Sequence, residues 1–254
     1  MKVNFMPVTY GKFIESEFVS VLTQDQPSKV ESYAAELFRS MVKHPHFPCL
    51  GAHGAVSRNL FRLGVYESES VTENAQQIIN ALSFFEEERN EESSVFATYV
   101  AIFLNWEPTN EIEFESSLWK QLKSINNIDC MLGNKWDESV SDDPNNPNFG
   151  FSINGKAYFV IGMHPCSSRW SRRFIWPALV FNAHTQFSNL REEGKFDSMK
   201  KKIRKRDMKI QNSYNPMMVG SKEISEAKQY SGRDHSDAEW SCPFTNLINR
   251  GSNE

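Results

Sequence analysis

The sequence predicts an α+β (or α/β) fold, a single compact domain over residues 1–254 with a mixed sheet flanked by helices. Three observations lead there. Amphipathic stripes of helical period are intermixed with short β-branched and aromatic runs, without strict alternation. One segment carries hairpin chemistry. No Gly/Ser-rich stretch is long enough to act as a linker between domains, and 254 residues suffice for one core.

The elements follow in order. Ser28 and Glu31 have capping-box spacing, and Val30, Tyr33, Ala34, Leu37, Phe38, Met41 and Val42 then form one apolar stripe. This helix ends at His44-Pro45, because the residue before proline is pushed out of the helical region. A second helix is expected from Thr72, aligning Ala75, Ile78, Ile79, Leu82 and Phe85 before the acidic run Glu86–Glu88. Val95–Leu104 reads as a buried strand. Glu111–Ile125 reads as a helix with Phe114, Leu118, Leu122 and Ile125 on one side. Asp142–Pro147 is turn chemistry. It leads to a hairpin, Phe149–Ile153 and Ala157–Met163, closed by a type I′ Asn154-Gly155 turn.

Several classes are excluded early. Nowhere do the roughly 18 to 20 consecutive apolar residues of a membrane span occur, and the first residues lack the apolar stretch of a secretory signal. Cys49, Cys130, Cys166 and Cys242 form no CxxC pair, which argues against a structural zinc site and for reduced thiols. The expectation is a cytoplasmic protein without a membrane partner. The common nucleotide-binding, zincin and hydrolase signatures are missing. Aromatic residues reach 13%, enough either for a thick core or for the walls of a cavity around a flat apolar group. The second half of the chain holds most of the basic residues and is the expected anion-handling half.

Five segments could carry chemistry. Gly162–Arg169 with Arg172 and Arg173 follows a predicted strand and supplies His164, Ser167, Ser168 and three arginines, Arg169 among them. An imidazole beside several guanidiniums suits a metal or cofactor bearing anionic groups, since arginine grips carboxylate or phosphate in a fork. The alternative is a strand-end turn whose serines cap a helix and whose arginines are solvated. His44, His46, Cys49 and His53 resemble a ligand cluster but have no matching second cluster, so a loop with one cofactor-facing residue is favoured. Trp240–Phe244 places Cys242 before a proline, as in thiolate ligation of haem, or docks an aromatic edge in the core. Lys200–Arg206 is basic, yet Phe196, Met199, Ile203 and Ile210 recur at helical spacing, so it reads as the solvated face of an amphipathic helix. An isoelectric point near 5.9 also argues against nucleic acid as the partner. His184, after the apolar stretch Phe174–Phe181, is a reserve metal ligand or a satisfied core histidine.

Together these residues resemble the YqcI/YcgG family. The resemblance runs through His46–Cys49, Leu118-Trp119, Asp143-Pro144, Gly162–Phe174, Pro177–Phe187, Leu190-Arg191, Ile203–Asp207, Asn215–Met217, Ser225–Arg233 and Trp240–Phe244. It implies a haem-dependent N-oxygenase, a monooxygenase that N-hydroxylates a guanidino or amino group of a small arginine-like metabolite. It also implies haem b, dioxygen and an external electron donor. Under that resemblance His164 is the first-ranked iron ligand, with His184 in reserve and thiolate from Cys242 or Cys49 third. Arg169, Arg172 and Arg173, with Ser167 and Ser168, would meet the propionates. Trp170, Phe174, Trp176, Phe181, Trp240 and Phe244 would form walls, and Asp143, Glu226 and Asp234 are the candidates for holding a guanidinium. Two rival readings stay open: a haem-binding sensor or carrier without turnover, and a cofactor-free protein whose basic helix meets nucleic acid or another partner.

Overall fold

In the computed structural model, residues 9–23, 25–92, 96–215, 224–235 and 240–244 are described. Seven strands, β1 (Gly11–Ile14), β2 (Glu17–Ser20), β3 (Phe61–Tyr66), β4 (Thr98–Phe103), β5 (Phe151–Ile153), β6 (Lys156–Met163) and β7 (Ala178–Ala183), form one sheet in the order β2-β1-β3-β4-β7-β6-β5. Only β3 and β4 pair in parallel; the other neighbours are antiparallel. The sheet is therefore mixed, as the sequence predicts. The helices are α1 (Lys29–Lys43), α2 (Leu50–Ser57), α3 (Val71–Glu92), α4 (Glu111–Met131), α5 (His184–Glu192), α6 (Phe196–Gln211) and the short α7 (Ala227–Tyr230).

The period of two along the central strands divides the core. Tyr99, Ala101 and Phe103 of β4 face a cluster with Ile78, Leu82 and Phe85 of α3 and Phe114, Leu118 and Leu122 of α4. Val100 and Ile102 face the opposite cluster, with Ala34, Phe38 and Val42 of α1 and Ala55 and Val56 of α2. Helices thus cover both faces, and β3 and β4 are buried along their whole lengths. Among the described residues no helix is long and apolar enough to cross a membrane.

Most local expectations agree with the structure. Ser28 and Glu31 form the reciprocal capping box, and α1 stops with His44 as its C-cap. Asn154 and Gly155 both have positive φ, 53° and 69°, as a type I′ turn requires. The second helix continues through its acidic run. Glu86 accepts from Tyr158 Oη at 2.6 Å and pairs with Arg89, while Glu88 is held by Arg62, Tyr10 and Lys12. The carboxylates are bound by distant strands, and α3 continues to Glu92. Likewise α4 runs six residues past Ile125, to Met131. The predicted strand at 95–104 is Thr98–Phe103, with Val95 outside the described residues. The β1–β2 hairpin, β3 and α2 carry no sequence signal strong enough to announce them.

One close approach sets where α4 lies. A Cβ on Gly162 of β6 would come within 2.6 Å of Phe114 and 2.8 Å of Leu118, so only glycine lets the helix settle there. Gly162→Ala is expected to destabilise the fold by about 1–3 kcal/mol, the usual range for overpacking a filled core. Urea denaturation checks this; an unchanged midpoint would show that α4 yields without cost.

Candidate functional site

β6 runs in the same direction as β4, since both are antiparallel to β7. The loop after β6 and the start of α4 therefore meet at one end of the sheet. His164, the first residue of that loop, is fully buried, and its ring stacks on Phe114 with centroids 4.1 Å apart and 16° between planes. Neither ring nitrogen has a hydrogen-bond partner. Burial pushes the imidazole down to about 4, so it is neutral at physiological pH. Stacking covers a face of the ring, whereas a nitrogen lone pair lies in its plane. The donor chemistry of His164 would suit a metal ligand, and an orphaned buried imidazole is otherwise costly to keep.

The rest of the loop is tied down by α4, α6 and α7. Glu111, in the first turn of α4, accepts from the Ser168 amide and hydroxyl, both at 2.8 Å. Ser167 is buried and its hydroxyl accepts from the Arg169 amide. Arg169 is buried against Asp207 of α6 and also donates to Ser213 and to the Tyr214 carbonyl. Arg172 donates to the carbonyls of Gly162, Tyr230 and Gln229. Burial draws Arg172 down to about 10, which leaves it charged at neutral pH. Of the three arginines, Arg173 is exposed; its Nε donates to the Ser167 carbonyl and its guanidinium lies over Trp170. Trp170 itself is 60% exposed.

The other candidates are scattered. His184 Nε2 is 3.0 Å from Glu226, whose carboxylate also accepts from Tyr230 at 2.5 Å. Burial raises Glu226 above the usual carboxylate range despite both partners. Glu226 is thus a link in a His–Glu–Tyr chain that fastens α7 to the sheet. Asp143 closes its own turn, accepting from the Asn145 amide at 2.9 Å. Burial pushes the Cys242 thiol up to about 12, and Cys49 is raised for the same reason. Phe244 packs on Trp119, Trp136, Phe149 and Phe151 in the α3–α4 cluster. The expected wall is divided by the sheet: Phe181, Trp240 and Phe244 lie in one core cluster, Phe174 and Trp176 in the other. His44, His46, Cys49 and His53 do not assemble into a ligand set, and among the described residues no group of three His, Cys, Asp or Glu side chains could hold a metal ion.

What the loop does frame is a polar cleft of two lobes. One, of about 360 Å³, is lined by Ser168, Arg169, Gln211, Ser213, Tyr214 and Asp234. The other, of about 500 Å³ and more open, is lined by Asn110, Glu111, Cys166, Ser168, Arg233 and Asp234. Ser168 and Asp234 border both. Beneath Asp234 lies a residue that sequence patterns did not single out, Glu115 of α4. Burial works against its charge, but His235 at 2.9 Å, Ser231 at 3.0 Å and Arg233 at 2.9 Å hold its carboxyl below the usual value. Trp240 Nε1 donates to it as well. A carboxylate one residue after an apolar stripe position has no local signature, since all its partners are over 100 residues away.

The chain is thus an α+β protein with a polar cleft at one sheet end and a buried, unpartnered histidine beside it. A family model matches residues 38–245, and the chain belongs to the YqcI/YcgG family. It is 27% identical over 220 residues to YqcI of Bacillus subtilis (strain 168), covering 82% of this chain and 84% of that protein. It is 26% identical over 212 residues to YcgG of the same organism, covering 80% and 82%. Both relatives are described as uncharacterized. No solved structure matches.

The neutral state of His164 has a measurable consequence. Its folded value, about 4, lies below the unfolded value of 6.5, so the unfolded chain binds the proton first as pH falls. Stability from this residue is complete above 6.5 and lost on the way down to about 4. The loss amounts to roughly 3 kcal/mol at most. In chemical denaturation across that window, His164→Phe is expected to flatten the pH dependence; an unaltered slope would show that His164 is not buried neutral.

Proposed function

We propose that this chain holds a haem b through His164 and is a monooxygenase that N-hydroxylates a guanidino or amino group of a small arginine-like metabolite. The observation that carries the reading is a buried, neutral imidazole with neither nitrogen hydrogen-bonded, in the loop on which the family resemblance is densest. Bound haem supplies the activation of dioxygen. Because His164 is fully enclosed by the loop and α4, a macrocycle reaches it only when the loop and the helix move apart. Arg173, exposed and at the loop's far end, is the arginine best placed for an anionic group, since Arg169 and Arg172 are bound to Asp207 and to main-chain carbonyls. The carboxylates of Glu111 and Asp234 line the cleft and suit a cationic substrate. Replacing N–H by N–OH uses one oxygen atom of dioxygen; the other leaves as water, which consumes two electrons and two protons. Nothing among the residues of the cleft supplies those electrons, so a donor from outside completes the reaction.

Absorption spectroscopy tests the first step. Protein produced with a haem precursor, or titrated with hemin, is expected to show a Soret band that His164→Ala weakens or shifts. A missing band defeats the proposal, and a band indifferent to His164→Ala transfers ligation to His184 or a cysteine. Aerobic incubation with a reductant and guanidino compounds is expected to add one oxygen atom by mass. A haem-loaded protein without that product is a sensor or carrier instead.

A further inference from the structure

We infer that the exposed face of α6 is a docking surface for an acidic electron-carrier protein. Helix α6 contains Lys200, Lys201, Lys202, Arg204, Lys205, Arg206 and Lys209 against two acids, Asp197 and Asp207. Asp207 is buried and committed to Arg169. Arg206 is turned inward, donating to the carbonyls of Pro45 and Phe47 at 2.6 and 2.8 Å. That leaves Lys201, Lys202, Lys205 and Lys209 exposed, and among the described residues none of these four forms an ion pair. Lys201, Lys205 and Lys209 are spaced i, i+4, i+8, so like charges stand over one another along a single face for about 12 Å. Such a row is unfavourable in isolation and is relieved by opposite charge. It stands out on a chain whose net charge is −4.

The kind of partner follows from the residue type. All four exposed cations are lysines, compact hydrated charges that steer and hold carboxylates loosely; phosphate backbones are gripped better by the fork of arginine. The patch is short, which suits a transient protein encounter more than a track along nucleic acid. Its position ties it to the cleft. Gln211, at the end of the same helix, donates to the Ser168 carbonyl at 2.9 Å and accepts from the Trp170 amide at 3.0 Å, and Asp207 holds Arg169. The docking surface stands on charge and exposure alone; the partner's redox role rests on the oxygenase reading. Under that reading each encounter passes one electron from the reduced carrier, which leaves oxidised, and two encounters supply one turnover.

Isothermal titration of the full chain with an oxidised, acidic [2Fe–2S] ferredoxin tests the surface, with basic cytochrome c as the control. Binding to the ferredoxin alone is expected, weakening about tenfold as salt shortens the Debye length from about 30 to 10 Å. The triple variant Lys201→Glu, Lys205→Glu, Lys209→Glu should lose at least roughly tenfold, whereas the corresponding arginine variant should retain binding. Circular dichroism verifies that both variants are folded. Equal binding by wild type and the glutamate variant overturns the inference. So does a single-stranded oligonucleotide or a phosphatidylserine vesicle that binds through these lysines more tightly than the ferredoxin. Lysine-dependent ferredoxin binding by a chain that takes up no haem would uphold the surface while defeating the oxygenase reading.

Discussion

The first two turns of α4 are the constraint on which the site depends. Glu111 holds the loop through Ser168, Phe114 lies on His164, Glu115 collects Ser231, Arg233, His235 and Trp240, and Leu118 rests against Gly162. These four residues occupy neighbouring positions on one helix, yet they fix segments from three distant regions of the chain. The interactions differ in kind. The carboxylates act through charge-assisted hydrogen bonds, which are directional, and the apolar pair through contact, which is not. Orientation of the loop and the C-terminal segment therefore comes from Glu111 and Glu115, while depth of burial comes from Phe114 and Leu118. Removing Glu115 alone would leave Arg233 and His235 with uncompensated polar groups, a larger loss than the bond itself.

That arrangement also explains why the arginine-rich loop is so rigidly built. Three guanidiniums in five residues repel one another, and the fold answers by giving each a different acceptor. Arg169 takes a carboxylate, Arg172 takes three main-chain carbonyls, and Arg173 takes one carbonyl and an aromatic face. The result is a scaffold of fixed positive charge behind a neutral imidazole. Burial is what keeps His164 unprotonated; the Glu111 carboxylate pulls the other way, and Arg172 offsets part of that pull.

The sequence was legible where the determining contacts are local. The α1 capping box, the Asn154-Gly155 turn and the amphipathic α6 are each written within a few residues, and the structure has all three. It was illegible where partners lie far away. The acidic run in α3 shows only part of how it is held: Arg89, one turn on, pairs with Glu86, but Tyr158 and Arg62 reach Glu86 and Glu88 from β6 and β3. β3 itself, Phe61–Tyr66, alternates Phe61, Leu63 and Val65 with Arg62, Gly64 and Tyr66, but over only six residues, too short a run to stand out. In the site, His164 stood out by the density of titratable and cationic residues around it. The commitment of Arg169 to Asp207 and the role of Glu115 appear only in three dimensions, because no spacing rule connects them. The grouping of aromatic residues around these motifs is divided for a similar reason: Phe181 of β7 and the Trp240–Phe244 segment pack on one face of the sheet, while Phe174 and Trp176, in the loop before β7, pack on the other.

The β1–β2 hairpin joins the sheet through one register pair, Gly11 with Leu63, through Phe13 packed on Phe61 of β3, and through the grip of Glu88 on Tyr10 and Lys12. The match to the family begins at residue 38, beyond it. The hairpin thus behaves as a cover over the open side of β3, whose main-chain groups would otherwise be available to a strand from another molecule. Its value to the protein lies in solubility during and after folding, a contribution separate from anything at the cleft.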